Sequence, residues 1–155
     1  MQLALDNLQS PAVAALLQEH LDDMARHSPP ESVHALDLDA LRHPSVSFWC
    51  VWDGDTLAGC GALKRLDNTH GEIKSMRTAS THLRRGVAAQ LLECILQQAR
   101  QDGLQRLSLE TGSMQVFEPA RRLYERFGFS PCPPFNNYKL DPYSVFMTRE
   151  LQATD

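Results

Sequence analysis

The stretch THLRRGVAAQLL, residues 81–92, contains the start of the clearest helical pattern in the chain. Apolar residues recur at helical spacing from Val87 to Ala99, and Gly103 follows as a stop signal. Two arginines and Gly86 stand directly before the apolar run. Because the first backbone amides of a helix lack partners and carry partial positive charge, this helix start predicts a phosphate-binding site. The competing interpretation is a solvated helix end with two exposed arginines.

The segments around this helix predict a mixed α/β (α+β) domain. Three strand-like runs precede the helix, and the turn signal DGD between the first two predicts an antiparallel meander. A strand directly after the helix indicates a crossover connection, and a further helix and a closing strand follow. The predicted strands are residues 45–53, 56–66, 71–78, 104–111 and 143–151, and the later helix lies within residues 114–129. This order predicts a single domain over residues 1–155, with a mixed, largely antiparallel sheet flanked by helices.

The first part of the chain predicts two further elements. Residues 2–6, QLALD, have the pattern of a short strand. An amphipathic helix follows, with Ser10 as its N-cap and Pro11 at the first helical position. Residues 28–44 then predict a loop that contains a short helix and ends at Pro44.

Composition excludes several classes of protein. A chain of 155 residues with 43% hydrophobic residues has enough apolar surface for one core. No apolar run approaches the roughly 20 residues that span a bilayer, and the N-terminus lacks a signal-peptide pattern, so we expect a cytoplasmic protein without membrane association. The net charge of −4 argues against nucleic-acid binding. Cysteines and histidines show no metal-ligand spacing, so no metal is expected.

The distribution of charge is uneven. Residues 1–60 carry nine acidic and two basic side chains, whereas residues 61–155 carry ten acidic and thirteen basic ones. One interpretation is a pair of solvated faces. The other is a basic end for an anionic cofactor and an acidic end for a cationic acceptor.

Two segments resemble signatures of the GNAT family of N-acetyltransferases. Residues 83–88, LRRGVA, resemble the segment that wraps the pyrophosphate of coenzyme A with backbone amides, although Leu83 replaces the usual polar residue. Residues 120–129, ARRLYERFGF, match the second signature more fully, although the usual asparagine before the alanine is absent. The resemblance covers residues 45–151 and implies the GNAT fold, with acetyl-CoA as co-substrate.

The resemblance also implies the reaction and its residues. It implies direct attack of a primary amine, on a small molecule or peptide, in a ternary complex, since no activated nucleophile is marked. Tyr124 would protonate the leaving thiolate, because a phenol with a pKa near 10 is protonated at neutral pH. Glu72 would accept the amine proton, with Glu110 as competitor, or no dedicated base would be needed. The implied acetyl-CoA contacts are Met76, Arg77, Thr78, Arg84, Arg85, Gly86, Val87, Ala88, Ala89 and Tyr124.

The acceptor site and the rival functions are less well marked. Phe135 and Tyr138 lie in a turn-rich segment that predicts either a wall of the acceptor site or a surface connector. A homodimer is compatible with this fold. A non-catalytic acyl-CoA-binding domain stays open because of Leu83 and the residues before Ala120. Phosphoryl transfer is disfavoured, because the chain has no Walker lysine.

Overall fold

The structure, a computed structural model, describes residues 1–33 and 38–151 and confirms the predicted mixed fold. Within them the strands are β1 (Gln2–Leu5), β2 (Val46–Asp53), β3 (Thr56–Arg65), β4 (His70–Thr78), β5 (Arg106–Gly112), β6 (Ser130–Pro131) and β7 (Ser144–Glu150). The helices are α1 (Pro11–His27), α2 (Leu38–Leu41), α3 (Val87–Gln101) and α4 (Glu118–Arg126), with short 3-10 turns at Pro30–Ser32, Ser80–His82 and Gln115–Phe117.

One sheet joins all these strands in the order β1-β2-β3-β4-β5-β7-β6. Every neighbouring pair is antiparallel except β4 and β5, which are parallel. Parallel neighbours need a crossover, and α3 supplies it, as the sequence predicts. The largely antiparallel sheet with a single parallel pair is therefore confirmed.

Alternating side chains give the sheet two apolar faces. On β2, Trp49 and Val51 pack with the side chains of α3 and α4, whereas Phe48 and Cys50 pack with those of α1 and α2. This alternation follows from the period of two along a strand. Each face is covered by helices, so both apolar surfaces of the sheet are removed from water.

The ends of the predicted elements agree closely, with a few differences. Helix α1 begins as expected, and the Ser10 hydroxyl accepts a hydrogen bond from the amide of Ala12 at 3.2 Å. The helix predicted within residues 114–129 begins only at Glu118, after a 3-10 turn. Strand β6 was not predicted, because two residues show no periodicity. Part of the predicted loop at residues 28–44 lies outside the described residues.

The parallel pair opens towards the end of β4. The two strands pair from His70 with Arg106 to Ile73 with Leu109, and then pairing stops. Strand β5 continues beside β7, and β4 continues beside β3, so their facing edges have no strand partner. Unpaired strand edges present backbone N–H and C=O groups to a ligand. We refer to this gap as the β4–β5 opening.

Strand β4 also contains a bulge beside the opening. Cys60 pairs with Arg77 and Ala62 pairs with Lys74, so Ser75 and the next residue face a single residue of β3. Ser75 adopts a φ of 56°, in the left-handed region. Two residues opposite one is the definition of a β-bulge, which bends the strand and re-aims its side chains.

No described helix has the length and hydrophobicity needed to cross a membrane.

Candidate active site

The N-terminus of α3 is open to an anion. Gly86 is its N-cap with a φ of 81°, a conformation that glycine adopts without strain. No side chain caps the helix, and a Cβ on Gly86 would meet nothing within 4 Å. The amides of Val87, Ala88 and Ala89 therefore lie at an uncapped helix start with partial positive charge. The helix start thus has the uncapped, unobstructed backbone on which the phosphate-binding prediction depends.

The two arginines before α3 are placed differently. The side chain of Arg84 is exposed and forms no ion pair among the described residues. Arg85 lies 3.7 Å from the carboxylate of Asp53, measured from Nη1 to Oδ2. His82 is buried and contacts the same carboxylate at 3.0 Å, and this hydrogen bond holds the pKa of Asp53 below its usual value. The loop before α3 is thus anchored to the end of β2, and Arg84 remains available.

A glycine on β3 brings the start of α3 close to β4. A Cβ on Gly59 would lie 2.6 Å from Cγ1 of Val87 and 2.9 Å from the carbonyl oxygen of Arg77. Real Cβ atoms essentially never approach so closely, so only glycine fits at this position. Val87, the first residue of α3, and Arg77, near the end of β4, consequently both lie against Gly59.

The side chains at the end of β4 are engaged inside the protein. Met76 packs against the apolar cluster under α3. Arg77 points to α1, where its Nη2 lies 2.7 Å from Glu19 and 2.5 Å from Asp23. The guanidinium of Arg77 therefore serves to hold α1 against β4. Contact of Met76 or Arg77 with a ligand in the β4–β5 opening would therefore come from their main chain.

Tyr124 lies on α4 and is 7% exposed. Its ring meets Phe129 edge to face, with the ring centroids 5.8 Å apart. Over residues 1–33 and 38–151, no group hydrogen-bonds to its hydroxyl. Burial, and then the charge of Glu110, raises the pKa of Tyr124. The phenol is therefore protonated at neutral pH and has its proton free to donate.

Glu72 forms a hydrogen-bonded network with Lys74 and Tyr138. Its carboxylate accepts hydrogen bonds from the hydroxyl of Tyr138 at 2.5 Å and from Nζ of Lys74 at 3.1 Å. Nζ of Lys74 also donates to the hydroxyl oxygen of Tyr138 at 2.9 Å. Glu72 is 2% exposed and the Lys74 side chain is 8% exposed. The structure thus joins a predicted base to a predicted acceptor residue through a lysine that the sequence analysis did not single out.

Glu110 lies on β5, one residue beyond the last pair with β4. Burial raises its pKa to about 7, while the positive charge of Lys74 opposes this shift. Its negative charge acts on Tyr124 on one side and on Tyr138 on the other. A carboxyl group with a pKa near neutrality is suited to accept and release a proton at that pH.

Aromatic side chains surround this network on the same face of the sheet. The ring centroid of Phe135 lies 5.1 Å from that of Tyr138, 6.0 Å from Phe146 and 5.6 Å from His70. The predicted residue pair Phe135 and Tyr138 is therefore together, and the loop that carries it packs on the sheet. Phe146 and His70 were not predicted, because only the pairing of distant strands places them here.

A pocket of about 600 Å³ borders the network. It lies between the buried Glu72 and Lys74 and the loop at residues 136–141. Lys64 of β3 and Glu31 also line it. Lys64 pairs with Glu72 in the register of β3 and β4, so a period-two pattern could have placed both on one face once the register was known. We call this cavity the acceptor-side pocket. Among the described residues, no cluster suited to a metal ion is found.

Comparison with known proteins identifies the family of this chain. A model of the Acetyltransferase (GNAT) family matches residues 13–129. The chain belongs to the GNAT family. It is 58% identical over 151 residues to the uncharacterized N-acetyltransferase YsnE of Bacillus subtilis (strain 168), covering 97% of this chain and 100% of that relative. It is 38% identical over 144 residues to the IAA acetyltransferase of Azospirillum brasilense, covering 90% and 91%. This GNAT protein is accordingly an acetyltransferase.

Solved structures agree with the GNAT fold. A Klebsiella pneumoniae protein assigned to the acyl-CoA N-acyltransferases superposes with a TM-score of 0.78 at 25% identity and covers 97% of each chain. A GNAT acetyltransferase from Elizabethkingia anophelis with acetyl-CoA bound superposes with a TM-score of 0.66 at 18% identity, again over 97% of each chain. The second likeness shows the shared fold.

Proposed function

We propose that this GNAT protein transfers an acetyl group from acetyl-CoA to a primary amine of a small molecule or peptide, by direct attack in a ternary complex. The position of Glu110 carries the proposal. Its charge acts both on Tyr124, the acid implied by the family signature, and on the network that lines the acceptor-side pocket. Burial keeps Tyr124 protonated and brings the pKa of Glu110 to about 7, which supports their use as acid and base at neutral pH.

The proposed acetyl-CoA site is made mainly of backbone. The uncapped start of α3 is suited to the pyrophosphate, and Arg84 adds an exposed positive charge beside it. The unpaired edge of β4 offers main-chain groups to the pantetheine arm. The proposed contacts remain Met76, Arg77, Thr78, Arg84, Arg85, Gly86, Val87, Ala88, Ala89 and Tyr124.

The chain's own groups would act in a simple order. A carboxylate accepts a proton from the acceptor ammonium, which frees the nitrogen lone pair for attack on the thioester carbon. Main-chain N–H groups at the edge of β4 donate to the carbonyl oxygen while it gains negative charge. The new C–N bond forms as the C–S bond breaks, and Tyr124 gives its proton to the departing sulfur. The attacking nitrogen loses its second proton, which passes through water to the Tyr124 phenolate, and the carboxyl group releases the first proton to solvent.

The contacts favour Glu110 over Glu72 as the proton acceptor. The sequence pattern favours Glu72, but its carboxylate already accepts hydrogen bonds from Lys74 and Tyr138. Glu110 forms no salt bridge among the described residues, and burial places its pKa near neutrality. We therefore assign the proton transfer to Glu110 and the orientation of Tyr138 to Glu72. The homodimer, the cytoplasmic location and the single domain over residues 1–155 stay predictions.

The test is calorimetric titration with acetyl-CoA, with ATP and NADH as controls. Micromolar binding of acetyl-CoA alone supports the proposal, and an acceptor panel that includes amines and IAA, monitored by thiol release, then tests transfer. Absence of binding, or equal binding of all three ligands, contradicts it. Binding without thiol release for any acceptor favours the alternative of a non-catalytic acyl-CoA-binding domain.

A further inference from the structure

The charges that line the acceptor-side pocket are balanced. Glu72 and Lys74 neutralise each other as a buried pair at 3.1 Å. Lys64 and Lys139 stay as positive charges, and Glu31 and Asp141 as negative ones. Pockets that bind polycations are lined mostly by anions, so this lining differs from what such a ligand requires.

Two lysines in this lining, Lys64 and Lys139, form no salt bridge with another described residue. Both line the same cavity as the neutralised pair of Glu72 and Lys74. Like charges in one pocket repel each other, and an anionic group bound between Lys64 and Lys139 would relieve that repulsion.

The acidic side chains of the first sixty residues lie mostly elsewhere. Arg77 binds Glu19 and Asp23, and His82 binds Asp53. Among the described residues of that segment, Glu31 is the acidic side chain that lines the pocket. Part of the excess of acid near the start of the sequence is therefore used for internal ion pairs, which weakens its support for a cationic acceptor.

The sheet separates the positive charge of Lys64 from the carboxyl group of Glu110 by a distance that a small acceptor can span. Lys64 is on β3 and Glu110 is on β5, and β4, which carries Glu72, lies between these two strands. Lys64 pairs with Glu72, and Glu72 pairs with Ser108, two residues before Glu110. Two strand spacings and two residues along β5 together amount to roughly 12 Å, of which the lysine side chain spans a part. A ligand can therefore place a carboxylate near Lys64 while its amine is near Glu110.

We infer that the acceptor is an amino carboxylate, such as an amino acid or a short peptide with a free carboxylate, held by Lys64 and Lys139. This inference rests on the proposed function, because it names the substrate class of the same site. Glu31 and Asp141 then face the polar remainder of the acceptor. Asp141 is positioned by hydrogen bonds from the Ser32 hydroxyl at 2.5 Å and from the amide of Tyr143 at 2.8 Å.

Matched acceptors test the inference. Each amino acid of a panel is compared with its own carboxamide, which keeps the amine and removes the negative charge. We expect kcat/KM to be about tenfold or more higher for the acid, because a charge-assisted hydrogen bond is lost with the amide. The difference is expected mainly in KM, since the carboxylate contact is the same before and during the reaction.

Variants locate the preference. Lys64→Met and Lys139→Met should each reduce the ratio of acid to amide, while the affinity for acetyl-CoA stays unchanged. Lys139 is exposed, so its variant is expected to fold even if that of Lys64 does not. Arg26→Met is the matched control, because Arg26 is an exposed cation of α1 outside the pocket lining.

The outcomes separate this inference from the proposed function. Equal turnover of acids and amides, or a preference for polyamines, overturns the inference while acetyl transfer itself stands. A loss of preference in the Arg26 variant also overturns it. If no acceptor is turned over, calorimetric titration of the acid and of its amide into the protein measures the same preference without catalysis. The inference is overturned if the acid does not bind, or if it binds no more tightly than the amide.

Discussion

The cofactor side of the proposed site is formed mainly by backbone groups, and the acceptor side mainly by side chains. At the start of α3 the protein offers backbone amides with exposed, weakly paired side chains. In the acceptor-side pocket it offers side chains that are hydrogen-bonded to one another, as in the network of Glu72, Lys74 and Tyr138. A backbone site depends on local conformation, whereas a side-chain site depends on the pairing of distant strands. Substitutions should therefore damage the two sides in different ways.

The largest effect is expected for Glu110→Gln. Loss of a general base lowers kcat by about 10²–10⁴-fold. In the wild type the carboxylate form is active, so kcat should rise as pH increases through about 7, and the variant should lose this rise. The measurement is a pH profile of thiol release, with Glu72→Gln as the matched control. If the rise survives in the Glu110 variant and disappears in the Glu72 variant, our assignment of the base is wrong.

The second largest effect is expected for Lys74→Met, and it concerns the stability of the protein. Removal of one partner of a buried ion pair leaves the other charge uncompensated and costs about 3–5 kcal/mol in the free energy of unfolding. Urea denaturation measures this cost. Arg106→Met is the control, because its pair with Glu150 at 3.1 Å is exposed and should contribute at most about 1 kcal/mol. Equal costs in the two variants would mean that the buried network does not stabilise the pocket.

Tyr124→Phe should lower kcat by about 10²-fold, since the leaving thiolate then takes its proton from water. Acetyl-CoA should still bind, because the ring is kept and the hydroxyl has no hydrogen-bond partner among the described residues. The comparison of calorimetric affinity with turnover checks both statements. An unchanged kcat would remove Tyr124 from the reaction.

Gly86→Ala should act on the backbone side alone. A residue with a Cβ at a φ of 81° is strained by about 1–2 kcal/mol, and relief of that strain would tilt the first amides of α3. We expect acetyl-CoA binding to weaken by about tenfold. Gly54→Ala, at a φ of 59° in the turn between β2 and β3, is the control for strain without a ligand contact. A similar loss of affinity in both variants would contradict a local role for Gly86.

The same contrast explains what could be predicted from the sequence. The helix start at Gly86 and the crossover through α3 follow from local pattern, and the structure confirms both. The roles of Tyr124, Glu72 and Glu110 stay predictions.

The acceptor-side pocket could not be predicted in the same way. Lys74 is two residues from Glu72 on the same strand face, but its partner Tyr138 comes from a distant loop. No local pattern specifies which loop covers which strand. Strand β6, which is two residues long and includes Pro131, likewise gains its conformation from its pairing with β7.

The bulge in β4 sets the phase of that strand. Ahead of it, Lys74 points to the face that carries the acceptor-side pocket. Because the strand advances by one extra residue, Met76 turns to the α3 side and Arg77 reaches α1. The extra residue also changes which backbone N–H and C=O groups of β4 point into the opening. A deletion of Ser75 would restore regular pairing with β3 and leave Met76 and Arg77 on these same faces, so the extra residue serves to bend the strand beside the opening.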